Sequence, residues 1–229
     1  MNSFASPQTL VALPFPNREE DLYSRVFDAI LEQHIDAGSR FTEESLAQMF
    51  NARRSDIRSV LTRLAHQQVI VLRANHRPRV AALDVEQVRQ TLHARRLAEI
   101  TLVRLACQHS CPQDLKSLVA LIDSERECNA RGSAIRLSGE FHLQLAKMAG
   151  NAPLAHFLDS LVPLTALAVA QFEGNVAGYC DWQVHQGILE AVEYRDEVKA
   201  VALLNQHLDH LEEALVSSEL LLSQNRVAG

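Results

Sequence analysis

Apolar residues recur at helical spacing along most of this chain, and the pattern changes in one place. Leu22, Val26, Ile30 and Ile35 fall on one side of a helix over residues 19–36, with Gly38 as its stop. Thr42 is a plausible N-cap for a short second helix that buries Leu46, Ala47 and Phe50 and carries Glu43 and Glu44 in its first turn. Asn51-Ala52 supplies a turn, because Asn tolerates left-handed dihedrals. A third helix over residues 53–66 places Ile57, Val60, Leu61 and Leu64 at i, i+3, i+4 and i+7. The pattern then shortens to two strands, residues 69–72 and 79–82, with residues 74–78 as the hairpin tip. Beyond residue 84 the helical period returns over 84–109, 113–129, 133–149, 153–172, 179–194 and 196–223, broken at Cys111-Pro112, Arg131-Gly132, Gly150 to Pro153 and Glu173 to Gly178. Short joints between six helices predict an antiparallel bundle. The fold class expected is mainly α: an N-terminal winged helix-turn-helix at residues 19–82, a C-terminal six-helix bundle at 83–229, and a loose, proline-bearing arm at 1–18.

Composition supports a helical globule: 47% of the residues are hydrophobic and only 5% aromatic, so the core is built from Leu, Ala and Val. No apolar run approaches the ~18 residues that span a bilayer, and the N-terminus lacks a basic stretch before an apolar one. The expectation is a cytoplasmic protein with no membrane partner. Cys107, Cys111, Cys128 and Cys180 show no CxxC spacing and read as reduced thiols.

Charge is more informative in its distribution than in its sum. The chain carries −6 overall, yet residues 40–80 hold eight arginines against three acidic residues, while residues 83–229 hold 12 basic against 19 acidic. The basic segment suits a phosphate backbone, and the remainder would be repelled by one. On the 53–66 helix, Arg54, Ser55, Arg58, Ser59 and Thr62 occupy the arc opposite the apolar stripe, with Arg53 at its start. These are hydrogen-bonding groups with the reach to meet base edges in a major groove. Arg73, His76, Arg77 and Arg79 lie on the hairpin, placed for backbone or minor-groove contacts. The partner expected is a double-stranded DNA operator, read by a homodimer, since two-fold sites need two readers.

The segment LYSRVFDAILEQHIDAGSRFTEESLAQMFNARRSDIRSVLTRLAHQQVIVLRANHRPRV resembles the DNA-binding domain of GntR-type bacterial transcription regulators. Gly38, Glu43, Leu46 and Ala47 match the family's first motif, and Arg54 and Arg58 stand where the family places its two DNA-contacting arginines. Asn51 replaces a turn Gly, Arg53 a capping Ser, Asp56 a Pro, and Arg77 the wing Gly. These departures imply an operator preference of the chain's own.

His142 shares a stripe with Leu145, Ala146 and Ala149; His185 with Ile188, Leu189 and Val192; His207 with Leu203, Leu204 and Leu211. Each points inward from a different helix. A lone inward His is ordinarily a hydrogen-bonded core residue, whereas three converging ones form a facial set for Zn²⁺ or another divalent transition metal. Periodicity alone leaves the two open. Residues 84–223, through GEFHLQLAKMAGNAPL, HQGILEAVEYRDEVKA, LLNQHLDHLEEAL and Arg95 to Glu99, resemble the FCD effector domain in its shorter, VanR-like branch. The resemblance implies a metal held by His142, His185 and His207, at a site where Ser138 stands in place of the family's ligating Asp, and a small-molecule effector bound there. Arg95 and Arg104 are candidates to pair an effector carboxylate; His210 could support the ligands, and Tyr179 and Trp182 could wall the pocket.

The expected function is thus a DNA-binding transcription regulator whose helical domain binds a small-molecule effector, an organic acid, at Arg95, Ser138, His142, His185 and His207 and so modulates operator binding, the sign of regulation being left open. The alternatives are a metal-dependent hydrolytic enzyme, which lacks a general base in the HExxH manner, and a constitutive DNA-binding dimer without an effector.

Overall fold

The computed structural model describes residues 18–172 and 182–227, with side chains over 21–171 and 182–215. Three helices come first: α1 (Arg18–Leu31), α2 (Glu43–Met49) and α3 (Arg54–His66). They are followed by a hairpin, β1 (Ile70–Val71) and β2 (Arg79–Val80), and then by α4 (Val85–His109), α5 (Pro112–Glu127), α6 (Arg131–Met148), α7 (Ala152–Phe172), α8 (Trp182–Glu193) and α9 (Glu197–Val227). The mainly helical winged helix-turn-helix plus six-helix bundle is the architecture observed among the described residues. The expected arm at residues 1–18 falls almost wholly outside them, as do Tyr179 and Cys180.

Local chemistry sets the element ends. Thr42 caps α2 by accepting from Ser45 N at 3.1 Å, while Ser45 Oγ accepts from Thr42 N at 2.9 Å. Asp84 and Gln87 form the same reciprocal cap on α4. Asn51 takes φ 49°, the left-handed turn between α2 and α3. The end of α1 differs from expectation. It stops at Leu31 rather than running to residue 36, because Gln33 turns left-handed at φ 61° and Ile35 N reaches back to Ala29 O at 3.2 Å. Ile35 is buried in its new position, so its apolar spacing reported a turn folding back onto the core rather than another turn of helix. The strands are also shorter than their apolar runs. They pair antiparallel only as Ile70 with Val80 and Val71 with Arg79, and Ala81 N donating to Val69 O extends the contact.

The reading head and the bundle share one apolar core, which runs from Leu22 and Ile57 to Leu204 and Leu208. Polar clamps fix the junction. Asp28 of α1 accepts from Ser133 Oγ at 2.7 Å and from Arg136 Nε at 2.6 Å, and Arg136 also holds Glu140. Gln171 of α7 bonds the linker on both sides, donating to Ala81 O and accepting from Leu83 N. One correction concerns α7. Its length and composition alone would allow it to cross a membrane, because His156, Asp159 and Ser160 interrupt the apolar run without making it polar overall. In this fold 56% of that stretch is buried inside the protein, as suits a central core helix.

The approach of α6 to α1 is closest at Gly132, where a Cβ would lie 2.6 Å from Asp28 O and from Glu32 Cγ. Backbone cannot swing away as a side-chain tip can. Gly132→Ala is expected to destabilise the protein by roughly 1–3 kcal/mol, as overpacked sites do, despite the better helix propensity of Ala. An unchanged urea midpoint in that variant would contradict the tight α1–α6 junction.

A buried imidazole cluster and an exposed arginine face

The bundle brings the three histidines together. Their candidate donor atoms lie within 4.8 Å of one another, and all three rings are buried. His142 comes from α6, His185 from α8 and His207 from α9, so periodicity had each face right and tertiary packing made them meet. His142 Nε2 and His207 Nε2 stand 3.2 Å apart, near the ~3.3 Å that two nitrogens on one tetrahedral Zn²⁺ would adopt at ordinary bond lengths. Phe141 stacks on His185 with ring centroids 4.3 Å apart and forms one wall.

Two carboxyl groups orient these rings. Glu99 of α4 meets His142 Nδ1 at 2.6 Å, and Glu125 of α5 meets His185 Nδ1 at 2.7 Å. A carboxylate only accepts, so each Nδ1 carries the proton and each Nε2 turns a lone pair toward the centre. Arg95 is buried and donates its Nε–H to Glu99. Four buried atoms face the cluster or its supports without any partner: Arg95 Nη2, Ser138 Oγ, His185 Nε2 and Glu125 Oε1. Buried polar groups are normally satisfied, so such a concentration marks a place built for something else to bind. The donor set fits a divalent transition metal: three buried imidazoles with carboxyl groups behind two of them.

The other expected site residues fall on both sides of this result. Arg95 reaches the cluster through Glu99, and Ser138 is buried one turn before His142 on α6. Arg104 is exposed on the far side of α4, and His210 is exposed on α9, so neither belongs to it. Glu140 pairs with Arg136 instead. Trp182 is half-buried under Arg126, whose guanidinium lies 5.6 Å from its ring centroid. Sequence reasoning missed Glu125 altogether and registered Glu99 only as part of a motif. Both had a signal: Leu118, Ile122 and Glu125 share one stripe, as do Leu92, Arg95, Glu99 and Leu102, so each carboxyl interrupts a face that is otherwise core.

On α3 the structure exposes Arg53, Arg54, Ser55, Arg58, Ser59 and Thr62, and on the hairpin His76, Arg77 and Arg79. Arg53 occupies the N-cap without a side-chain cap bond, as the loss of a capping Ser there implies. Two of these arginines, Arg54 and Arg58, are already engaged. Arg58 forks onto Glu43 of α2 with Nε and Nη2 at 2.9 and 2.7 Å, and Arg54 Nε lies 3.2 Å from Glu44.

An exposed helix-turn-helix face joined to a helical bundle is the architecture of a DNA-binding regulator. Residues 18–80 match the bacterial regulatory proteins of the gntR family, and residues 90–210 match the FCD domain. The chain belongs to the GntR family of transcription regulators, in the group that carries an FCD domain, and it is not an enzyme. It is 26% identical over 196 residues to the Nta operon transcriptional regulator of Aminobacter aminovorans, covering 80% of this chain and 89% of that one. Its fold resembles McbR/YncC of E. coli, with a TM-score of 0.71 at 16% identity over 88% of this chain and 98% of that one. It also resembles a GntR transcriptional regulator from Rhodococcus sp. RHA1, with a TM-score of 0.68 at 16% identity over 87% and 98%.

The buried site titrates in two windows. Burial pushes His142 down to about 4 despite the nearby Glu99 carboxylate, and burial with the neighbouring imidazoles lowers His207 well below the usual range. Unfolded histidines take up protons below about 6.5, so the folded state loses stability as pH falls from there toward 4. Burial alone would raise Glu99, but Arg95 and His142 hold it at about 2. Its contribution is present above the ordinary carboxyl range and is lost only as pH falls further toward 2. In chelator-treated protein the urea midpoint should therefore drop between about pH 7 and about pH 5. A flat profile over that interval would rule out buried neutral imidazoles.

Proposed function

We propose that this regulator senses an organic acid through a divalent transition metal, most simply Zn²⁺, held by His142, His185 and His207, and that effector binding alters operator affinity. The observation that carries this reading is the set of three convergent imidazoles ringed by buried polar atoms without partners. Arg95 and a dication together bring three positive charges against the two carboxylates of Glu99 and Glu125. A monoanionic carboxylate would balance the surplus, with Arg95 Nη2 as its donor and Ser138 Oγ free to bond a neighbouring oxygen. Ser138, buried one turn before His142, brings no charge of its own. The metal would supply electrophilic anchorage for the acid; the chain's own residues orient it and exclude water.

The output is DNA reading by Arg53, Arg54, Ser55, Arg58, Ser59 and Thr62 in the major groove, with His76, Arg77 and Arg79 on the flanking backbone. The same reading takes the regulator to be a cytoplasmic homodimer. Leu97 of α4 and Phe157 of α7 are large apolar side chains left 61% and 48% exposed, which a second copy would cover. Since α6 carries His142 and Ser138 inward and Ser133 and Arg136 against α1, a ligand that shifts α6 would shift the reading head with it.

Elemental analysis of purified wild type beside His142→Ala/His207→Ala should find about one equivalent of metal in the first and little in the second. Equal contents would remove the metal site. Small carboxylates, screened by thermal shift, should stabilise the metal-loaded protein and lose that effect with chelator. In a gel-shift on duplexes selected by the wild type, Arg54→Ala and Arg58→Ala should each weaken binding about tenfold or more; unchanged shifts would move the reading surface elsewhere.

A further inference from the structure

Arg54 and Arg58 are not presented to DNA as free cations. Glu43 takes the side edge of the Arg58 guanidinium, Nε and Nη2, at 2.9 and 2.7 Å, and its Oε2 also lies 3.7 Å from Arg54 Nη2. Glu43 is the first residue of α2, directly after the reciprocal Thr42–Ser45 cap, so its backbone is fixed. Arg54 and Arg58 remain 60% and 66% exposed, and exposed ion pairs add little to stability. The fold has little need of this contact, which leaves its effect on DNA as its consequence.

A guanidinium bonds paired acceptors along either of two edges. With the side edge on Glu43, the end edge of the 66% exposed Arg58, Nη1 and Nη2, is left for a second pair of acceptors, such as O6 and N7 of guanine. The Glu43 carboxylate meanwhile repels phosphates that would otherwise draw both arginines onto the backbone at any sequence.

We propose that Glu43 is a specificity-determining positioning residue: it holds Arg58 by its side edge for base readout and, by its charge, weakens sequence-independent binding. The inference rests on α3 being the DNA-reading helix, as proposed above.

The test selects duplexes from a randomised pool with wild type, Glu43→Gln, Glu43→Asp and Arg58→Ala, then measures each protein on the wild-type-selected duplex and on a scrambled one across salt concentrations. Glu43→Gln should bind scrambled DNA more tightly, with a log–log salt slope steeper by about one. Its selected-to-scrambled ratio should fall about tenfold. It should also lose preference at the base position that Arg58→Ala loses, and Glu43→Asp should restore most of that preference. An unchanged ratio and preference in Glu43→Gln, or a uniform loss on both duplexes, would overturn the proposal. If Arg58→Ala also keeps its ratio, the reading of α3 itself fails; if only Glu43→Gln does, the fault lies with the role given to Glu43.

Discussion

The bundle is organised around the burial of an ionisable cluster. Arg95, Glu99, Glu125 and three histidines sit in the apolar interior, and any of them left uncompensated there would cost several kcal/mol. The compensation is geometric: each carboxyl group bonds an imidazole, and the guanidinium bonds one of the carboxyl groups. That chain of contacts ties α4, α5, α6 and α8 to one point and fixes the rotation of each helix about its axis. His207 brings in α9 through His142. The compensation is also incomplete: Arg95 Nη2, Ser138 Oγ, His185 Nε2 and Glu125 Oε1 are buried without a hydrogen-bond partner.

Helix α6 joins that cluster to the N-terminal helices. Its inner face holds Ser138 and His142, while the residues one to two turns earlier, Gly132, Ser133 and Arg136, lock onto α1 of the reading head. The two faces belong to one rigid helix in a continuous core, so a change at the imidazoles and a change at α1 are not independent. The pinned linker at Ala81 and Leu83 reinforces this by removing a hinge where one would otherwise form.

The DNA face is governed by a different balance. It is solvent-exposed, its charges are screened, and its ion pairs contribute little to folding. Arg54 and Arg58 are held by acidic residues from the preceding helix, Glu43 and Glu44. Buried charge thus organises the helical bundle, and exposed charge lines the helix-turn-helix.

Much of this was legible from residue order. The 3.6-residue period located every described helix to within a few residues, except where Gln33 ends α1 early. The turn at Asn51, the exposed arc of α3 and the inward faces of the three histidines all follow from local spacing, because a helix fixes direction relative to its own axis and nothing else. For the same reason spacing could not show that His142, His185 and His207 meet, that Arg104 and His210 stand apart from them, or that Glu125 supports the cluster across 60 residues of sequence. Nor could it show Glu43 reaching across a turn to Arg58, 15 residues on. The sequence by itself determined which residues face inward and which outward on each element. Only tertiary structure decided which inward faces share a centre, since that depends on how helices cross, and crossing is set by the whole packed core.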